Sequence, residues 1–237
     1  MNPKTASQWI ELQAADGGRF KAYLSLPPAP KGPGVLLIQE IFGVNRHIKA
    51  VADQYAMDGF VVLAPDVFWR IEPGLDIGYS DADKERGYAL KQRLDMATTV
   101  RDLGAAASAL RARPECTGRV ACLGYCMGGL LSYLCAAGGG GVDAAVCYYG
   151  GGIQAQLEQA ASIRSPILLH FAENDHIISM QAVDSVRRAF KDRANAAVHV
   201  YPGASHGFNC WDRAAYEPMS AALAHGRTLE FLATAIG

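Results

Sequence analysis

A chain of 237 residues that is 50% hydrophobic and 19% charged carries enough apolar material for a substantial core. Its formal net charge of −1 excludes the basic footprint of a nucleic-acid binder or of a protein held on an anionic membrane. No run approaches the roughly 18 apolar residues of a membrane span, the first residues lack a signal-peptide core, and the six cysteines follow no Cys-x-x-Cys spacing. One domain over 1–237 is expected, a monomer of a reducing cytoplasm with no disulfide framework.

In chain order, 7–13 and 19–26 read as strands joined through Asp16-Gly17-Gly18, a favoured turn, and predict an antiparallel hairpin. Residues 34–39 are a continuous apolar run of the kind buried on both faces of a parallel sheet. Ile48, Val51 and Tyr55 recur at helical spacing up to Asp58-Gly59, and 60–64 is the next buried strand. The stretch 66–83 has no clear periodicity and predicts a surface loop over the functional edge of the sheet. Val100, Leu103, Ala107 and Leu110 form a helical stripe closed by Pro114 and Gly118. Strand 120–123 follows, then a helix to about Leu134. Residues 142–149, 167–171 and 197–201 are three more strands; Val183, Val186 and Phe190 mark a helix between the last two, and the glycine runs 138–141 and 150–152 are loops. The pattern predicts an α/β fold: an eight-stranded, mostly parallel sheet with right-handed crossover helices on both faces.

Cys126 stands between Gly124 and Gly128, directly after the strand at 120–123 and before a helix. This is the strand–turn–helix setting of the Gly-x-Ser-x-Gly nucleophile elbow, with cysteine replacing serine. The turn strains its central residue, so small neighbours are required, and the strain pushes the sulfur out where substrate and base reach it. Amides at a helix N-terminus also favour a thiolate over a thiol. Taken alone, such a cysteine could simply be buried core. Two further residues argue otherwise. Asp175 follows the strand at 167–171, and His206 follows the strand at 197–201. Nucleophile, acid, histidine, each just past its own strand, is the α/β-hydrolase order.

Other patterns carry less. Gly203-Ala204-Ser205-His206-Gly207 also matches Gly-x-Ser-x-Gly, but the tail after it is too short to supply two further strand-plus-loop units. The glycine runs lack a P-loop lysine and dinucleotide spacing, and no Cys/His cluster has zinc spacing, so neither cofactor nor metal is expected. Cys122, Cys135 and Cys147 read as core, whereas Cys210, four residues after His206, is expected to line the pocket. His47 and His199 read as surface or strand residues. Glu40 ends the run at 34–39 and therefore emerges at the same edge as the elbow, where a carboxylate can govern a thiol or accept its proton.

These segments resemble the dienelactone hydrolase family: Gln39-Glu40-Ile41-Phe42-Gly43-Val44-Asn45, Ala64-Pro65-Asp66, Gly124-Tyr125-Cys126-Met127-Gly128-Gly129, Tyr148-Tyr149-Gly150, Asn174-Asp175 and His206-Gly207-Phe208. The resemblance implies a Cys126–His206–Asp175 triad and a Glu40 that engages the resting thiol. It implies an oxyanion hole at the amides of Met127 and Ile41. It further implies hydrolysis of a small-molecule ester or lactone through an acyl-thioester, without cofactor. For substrate contacts it aligns Tyr88, sets Lys84 and Cys210 where family members acting on dienelactone carry carboxylate-binding arginines, and sets Lys91 at a tryptophan position. Arg86 and Arg70 are the nearby cations that could substitute, and loss of an arginine disfavours anionic substrates. The rival reading is a non-hydrolytic thiol-reactive or redox-sensing protein on the same fold.

Overall fold

The computed structural model describes residues 5–237. Strands β1 (Ala6–Gln13) and β2 (Arg19–Leu26) form the antiparallel hairpin, turning at Gly17 with φ of +88°. The sheet continues through β3 (Gly32–Ile38), β4 (Val61–Pro65), β5 (Cys116–Tyr125), β6 (Ala144–Tyr148), β7 (Ile167–Ala172) and β8 (Ala196–Tyr201). Its spatial order is β1-β2-β4-β3-β5-β6-β7-β8, and every pairing from β4 onward is parallel. Helices cover both faces, so central strands read as unbroken apolar runs; Val35 through Ile38 are wholly buried.

Helices α1 (Arg46–Met57), α2 (Asp81–Gln92), α3 (Met96–Arg111), α4 (Met127–Leu134), α5 (Met180–Phe190) and α6 (Pro218–Ile236) complete the fold. Asn45 caps α1 by accepting from the Ile48 N–H, and Asp95 caps α3 through Thr98. Hydrophobic periodicity did not announce α2 because that helix buries only Gly87 and Leu90. Its signal is the Ser80–Asp83 capping box, in which each side chain serves the other's backbone. The stripe of α6 was faint for a related reason: much of it is small (Ala221, Ala224, Thr228). The expected glycine loop after α4 begins as a single π turn over Cys135–Gly139. Among the described residues no helix is long and apolar enough to cross a membrane.

The elbow glycines are required by backbone contact. A Cβ on Gly124 would stand 2.1 Å from the Gly128 carbonyl oxygen, and one on Gly128 would stand 2.2 Å from that of Ile38. Backbone cannot yield as a side chain does. Gly128→Ala is therefore expected to lose about 3 kcal/mol, roughly 6–12 °C in melting temperature. Gly226→Ala is the contrast: no atom lies within 4 Å of its Cβ position in α6, so thermal melting should show a gain of up to about 1 kcal/mol.

Candidate active site

Ile38 of β3 pairs in parallel register with Gly124 of β5, so the two chains leave the sheet side by side. One carries Gln39-Glu40-Ile41 and the other Tyr125-Cys126-Met127. Close contact between Gly128 and the Ile38 and Gln39 carbonyls holds them together. Cys126 has φ 54° and ψ −113°, a conformation that cysteine adopts only under constraint, and its N–H is anchored to the Tyr148 carbonyl at 3.0 Å. Its residue surface is 8% exposed. The N–H groups of Met127, the first residue of α4, and of Ile41 have no partner among the described residues, leaving two donors beside the sulfur's strand end.

Asp175 and His206 come off β7 and β8. His206 Nδ1 meets Asp175 Oδ2 at 2.8 Å, with both side chains buried. The other Asp175 oxygen accepts from the Ile177 and Ile178 amides at 2.8 and 3.0 Å, which orients the carboxylate. Burial works against ionisation of Asp175, but His206 and these two amides outweigh it and lower its pKa. Burial likewise opposes an imidazolium at His206, yet the negative charge of Cys126 and the bond to Asp175 push its pKa up to about 10. His206 Nε2 is buried and unpaired, as are Glu40 Oε2, Gln39 Nε2 and the Tyr149 hydroxyl. Buried polar atoms are rarely left so, and four on one set of strand-end loops mark a place where a ligand completes the bonding.

Glu40 is 2% exposed, and burial raises its pKa. The family resemblance implied contact with the thiol, but its hydrogen-bond partner is Arg213, whose Nη1 donates to Glu40 Oε1 at 3.2 Å. Arg213 is the residue that sequence reasoning missed. Its guanidinium packs so closely on the backbone of Gly207 that a Cβ there would lie 2.6 Å from Nη1. It also lies 5.7 Å from the ring centroids of Phe42 and Tyr79. Seven residues past His206 in an irregular loop, it follows no periodicity that could have announced it. Tyr149, named only within a segment of the family resemblance, had been given no role. It is buried at φ 36° with its ring edge-on to His206 at 5.0 Å.

The other expected contacts fare unevenly. Tyr88 is 41% exposed on α2, whose Gly87 abuts the Ile41 carbonyl; burial and the charge of Cys126 raise its pKa. Lys84 instead pairs with Asp81 at 2.9 Å within its own helix. Arg86 pairs with Glu72, and Arg70 with Asp102 and Asp16. Cys210 is fully buried, and its thiol donates to the Tyr79 hydroxyl at 3.4 Å, so it does not line an open pocket. His47, expected at the surface, is 2% exposed.

A strained elbow on β5, with an acid after β7 and a histidine after β8 of this strand order, defines an α/β-hydrolase. The chain belongs to the dienelactone hydrolase family, whose model matches residues 20–236. It is 36% identical over 227 residues to the carboxymethylenebutenolidase of a Pseudomonas species, covering 95% of this chain and 94% of that one. It is 35% identical over 228 residues to the carboxymethylenebutenolidase of Pseudomonas putida, covering 96% of each. A Klebsiella pneumoniae structure provisionally named a dienelactone hydrolase superposes with a TM-score of 0.82 at 28% identity, covering 96% of this chain and 99% of that one. An esterase from Pyrococcus furiosus shares the fold, with a TM-score of 0.71 at 16% identity over 98% of this chain and 94% of that one. The protein is a hydrolase of the dienelactone hydrolase type.

Proposed function

We propose that this hydrolase cleaves small esters or lactones through a Cys126–His206–Asp175 triad and an acyl-thioester. The observation that carries the reading is His206, oriented by Asp175 at 2.8 Å and with its buried Nε2 free, at the same strand-end edge as the strained Cys126 elbow. The thiolate attacks the carbonyl carbon, a C–S bond forms, and the carbonyl electron pair moves onto oxygen, where the Ile41 and Met127 amides stabilise it. Collapse breaks the C–O bond, and the leaving alkoxide takes the proton from His206 Nε2; in a lactone it remains tethered. Water then gives a proton back to His206 and its oxygen to the thioester, releasing the carboxylic acid and restoring the thiolate.

Mass spectrometry of protein quenched during turnover of a slow ester tests this reading. An acyl group on the peptide containing Cys126 is expected, and an unmodified Cys126 during sustained turnover would overturn it. Rapid labelling of Cys126 with no turnover of any ester or lactone would favour the thiol-reactive alternative instead.

The pH dependence follows from His206. Its raised pKa keeps the imidazolium, and so the proton for the leaving group, at all pH values below about 10; the proton is lost as pH rises through that value. Activity on an aliphatic ester, followed by pH-stat titration, should hold through neutral pH and fall on an alkaline limb near 10. A limb near 7 would contradict the assignment.

Arg213 is the cation of this site. A guanidinium beside the reaction centre favours substrates bearing a carboxylate, reversing the sequence expectation that Cys210 leaves anions disfavoured. Arg213→Gln should lower the kcat/KM ratio of an ester with an ω-carboxylate to its neutral isostere about tenfold. Burial raises the pKa of Glu40 and Arg213 opposes that rise, so removing the guanidinium shifts that carboxyl further toward its neutral form. An unchanged ratio would remove Arg213 from substrate recognition.

A further inference from the structure

Four consecutive residues after the catalytic histidine each grip a different partner. The Cys210 thiol donates to the Tyr79 hydroxyl at 3.4 Å. The Trp211 indole meets the His47 ring edge-to-face, with centroids 4.3 Å apart and planes at 71°. Asp212 Oδ2 accepts from Arg46 Nε at 3.2 Å and Nη2 at 2.9 Å. Arg213 Nη1 donates to Glu40 at 3.2 Å. Arg46 and His47 are the first two residues of α1, and the cap of that helix, Asn45, donates to both the Tyr79 hydroxyl and the Ile77 carbonyl. One helical turn therefore braces both the loop before Arg213 and the aromatic ring against which Arg213 lies.

We propose that the first turn of α1, through His47 and Arg46, is a positioning platform that sets the Arg213 guanidinium at the active site. An arginine side chain is long and rotamer-rich, so its charge acts at a defined point only when its backbone is fixed. His47 suits the task as an aromatic wedge. It is 2% exposed, its Nδ1 has no partner, and burial pushes its pKa down to about 4, so at neutral pH it packs as an uncharged ring. The Arg46–Asp212 pair, with Arg46 85% exposed, is the weaker brace. The proposal rests on the reading that Arg213 faces the substrate beside Cys126.

The test uses two alkylating reagents that differ in charge, iodoacetate and iodoacetamide, on the native protein, with modification located at Cys126 by peptide mapping. Their rate ratio reports the field of Arg213 at the sulfur without requiring turnover. His47→Ala and Trp211→Ala are expected to lower the iodoacetate-to-iodoacetamide ratio about fivefold, and Arg46→Gln about twofold, as the guanidinium loses its fixed distance from the sulfur. His47→Phe and Trp211→Phe, which keep a ring at each position, should restore the ratio to within about twofold of the parent. Trp211 is 39% exposed, so its truncation keeps the test available even if His47→Ala fails to fold. A ratio unchanged in Trp211→Ala but lowered in Arg213→Gln would overturn the platform while leaving the role of Arg213 intact. A ratio unchanged in Arg213→Gln would overturn that role, and the platform with it.

Discussion

Replacement of Cys126 by alanine is expected to lower kcat/KM on short esters by about 10⁴-fold or more, because in the proposed mechanism every covalent step passes through its sulfur. The loss should be chemical rather than structural. The side chain contributes no capping bond to α4, and the strained turn is held by the Cys126–Tyr148 backbone bond and by glycine contacts that alanine leaves in place. Circular dichroism and melting should therefore resemble the parent. Cys126→Ser should also be impaired, by roughly 10²-fold or more, since a site built to hold a thiolate need not deprotonate a hydroxyl. The remaining cysteines are buried, and none but Cys126 has the positive φ of an elbow. A Cys126→Ala variant with near-parental kcat/KM would refute the mechanism outright.

Asp175→Asn should cost about 10³–10⁴-fold in kcat while leaving the fold in place. The asparagine oxygen can still accept from the Ile177 and Ile178 amides, so the loop keeps its shape. What is lost is the charge that holds His206 Nδ1–H and supports the imidazolium. The alkaline limb of the pH profile, expected near 10 in the parent, should consequently move to lower pH. Stability carries a second signature. The pKa of Asp175 is depressed in the folded state, so its contribution is present above the unfolded-state pKa and is lost as pH falls through the folded one. Melting curves of the parent should thus fall more steeply in acid than those of the variant. An unmoved alkaline limb in Asp175→Asn would mean that another group titrates there.

The legibility of this chain divides by the kind of signal each part carries. Buried strands of a parallel sheet are apolar on both faces and the opening hairpin is marked by its Asp-Gly turn, so all eight could be found by inspection, with ends within a few residues of those observed; only β5, which starts at Cys116, ran noticeably longer. Helix α2 escaped because a helix lying on the surface with two buried residues has no stripe to detect. Cys126, Asp175 and His206 were legible because each follows its own strand directly. Lys84 is set at its position by the family pattern and Arg86 and Arg70 by nearness along the chain, and each instead has a carboxylate partner of its own.

Sequence alone thus determined the sheet, the elbow and the order of Cys126, Asp175 and His206, since those depend on local hydrophobicity, small residues and short strand-to-loop distances. Tertiary structure alone decided which cation meets Glu40. Arg213 lies 173 positions from Glu40, and they meet because the sheet brings the loop after β3 and the loop after β8 to one edge. Such a pair exists because two loops are brought to the same edge of one sheet and desolvated together, a condition no local pattern encodes.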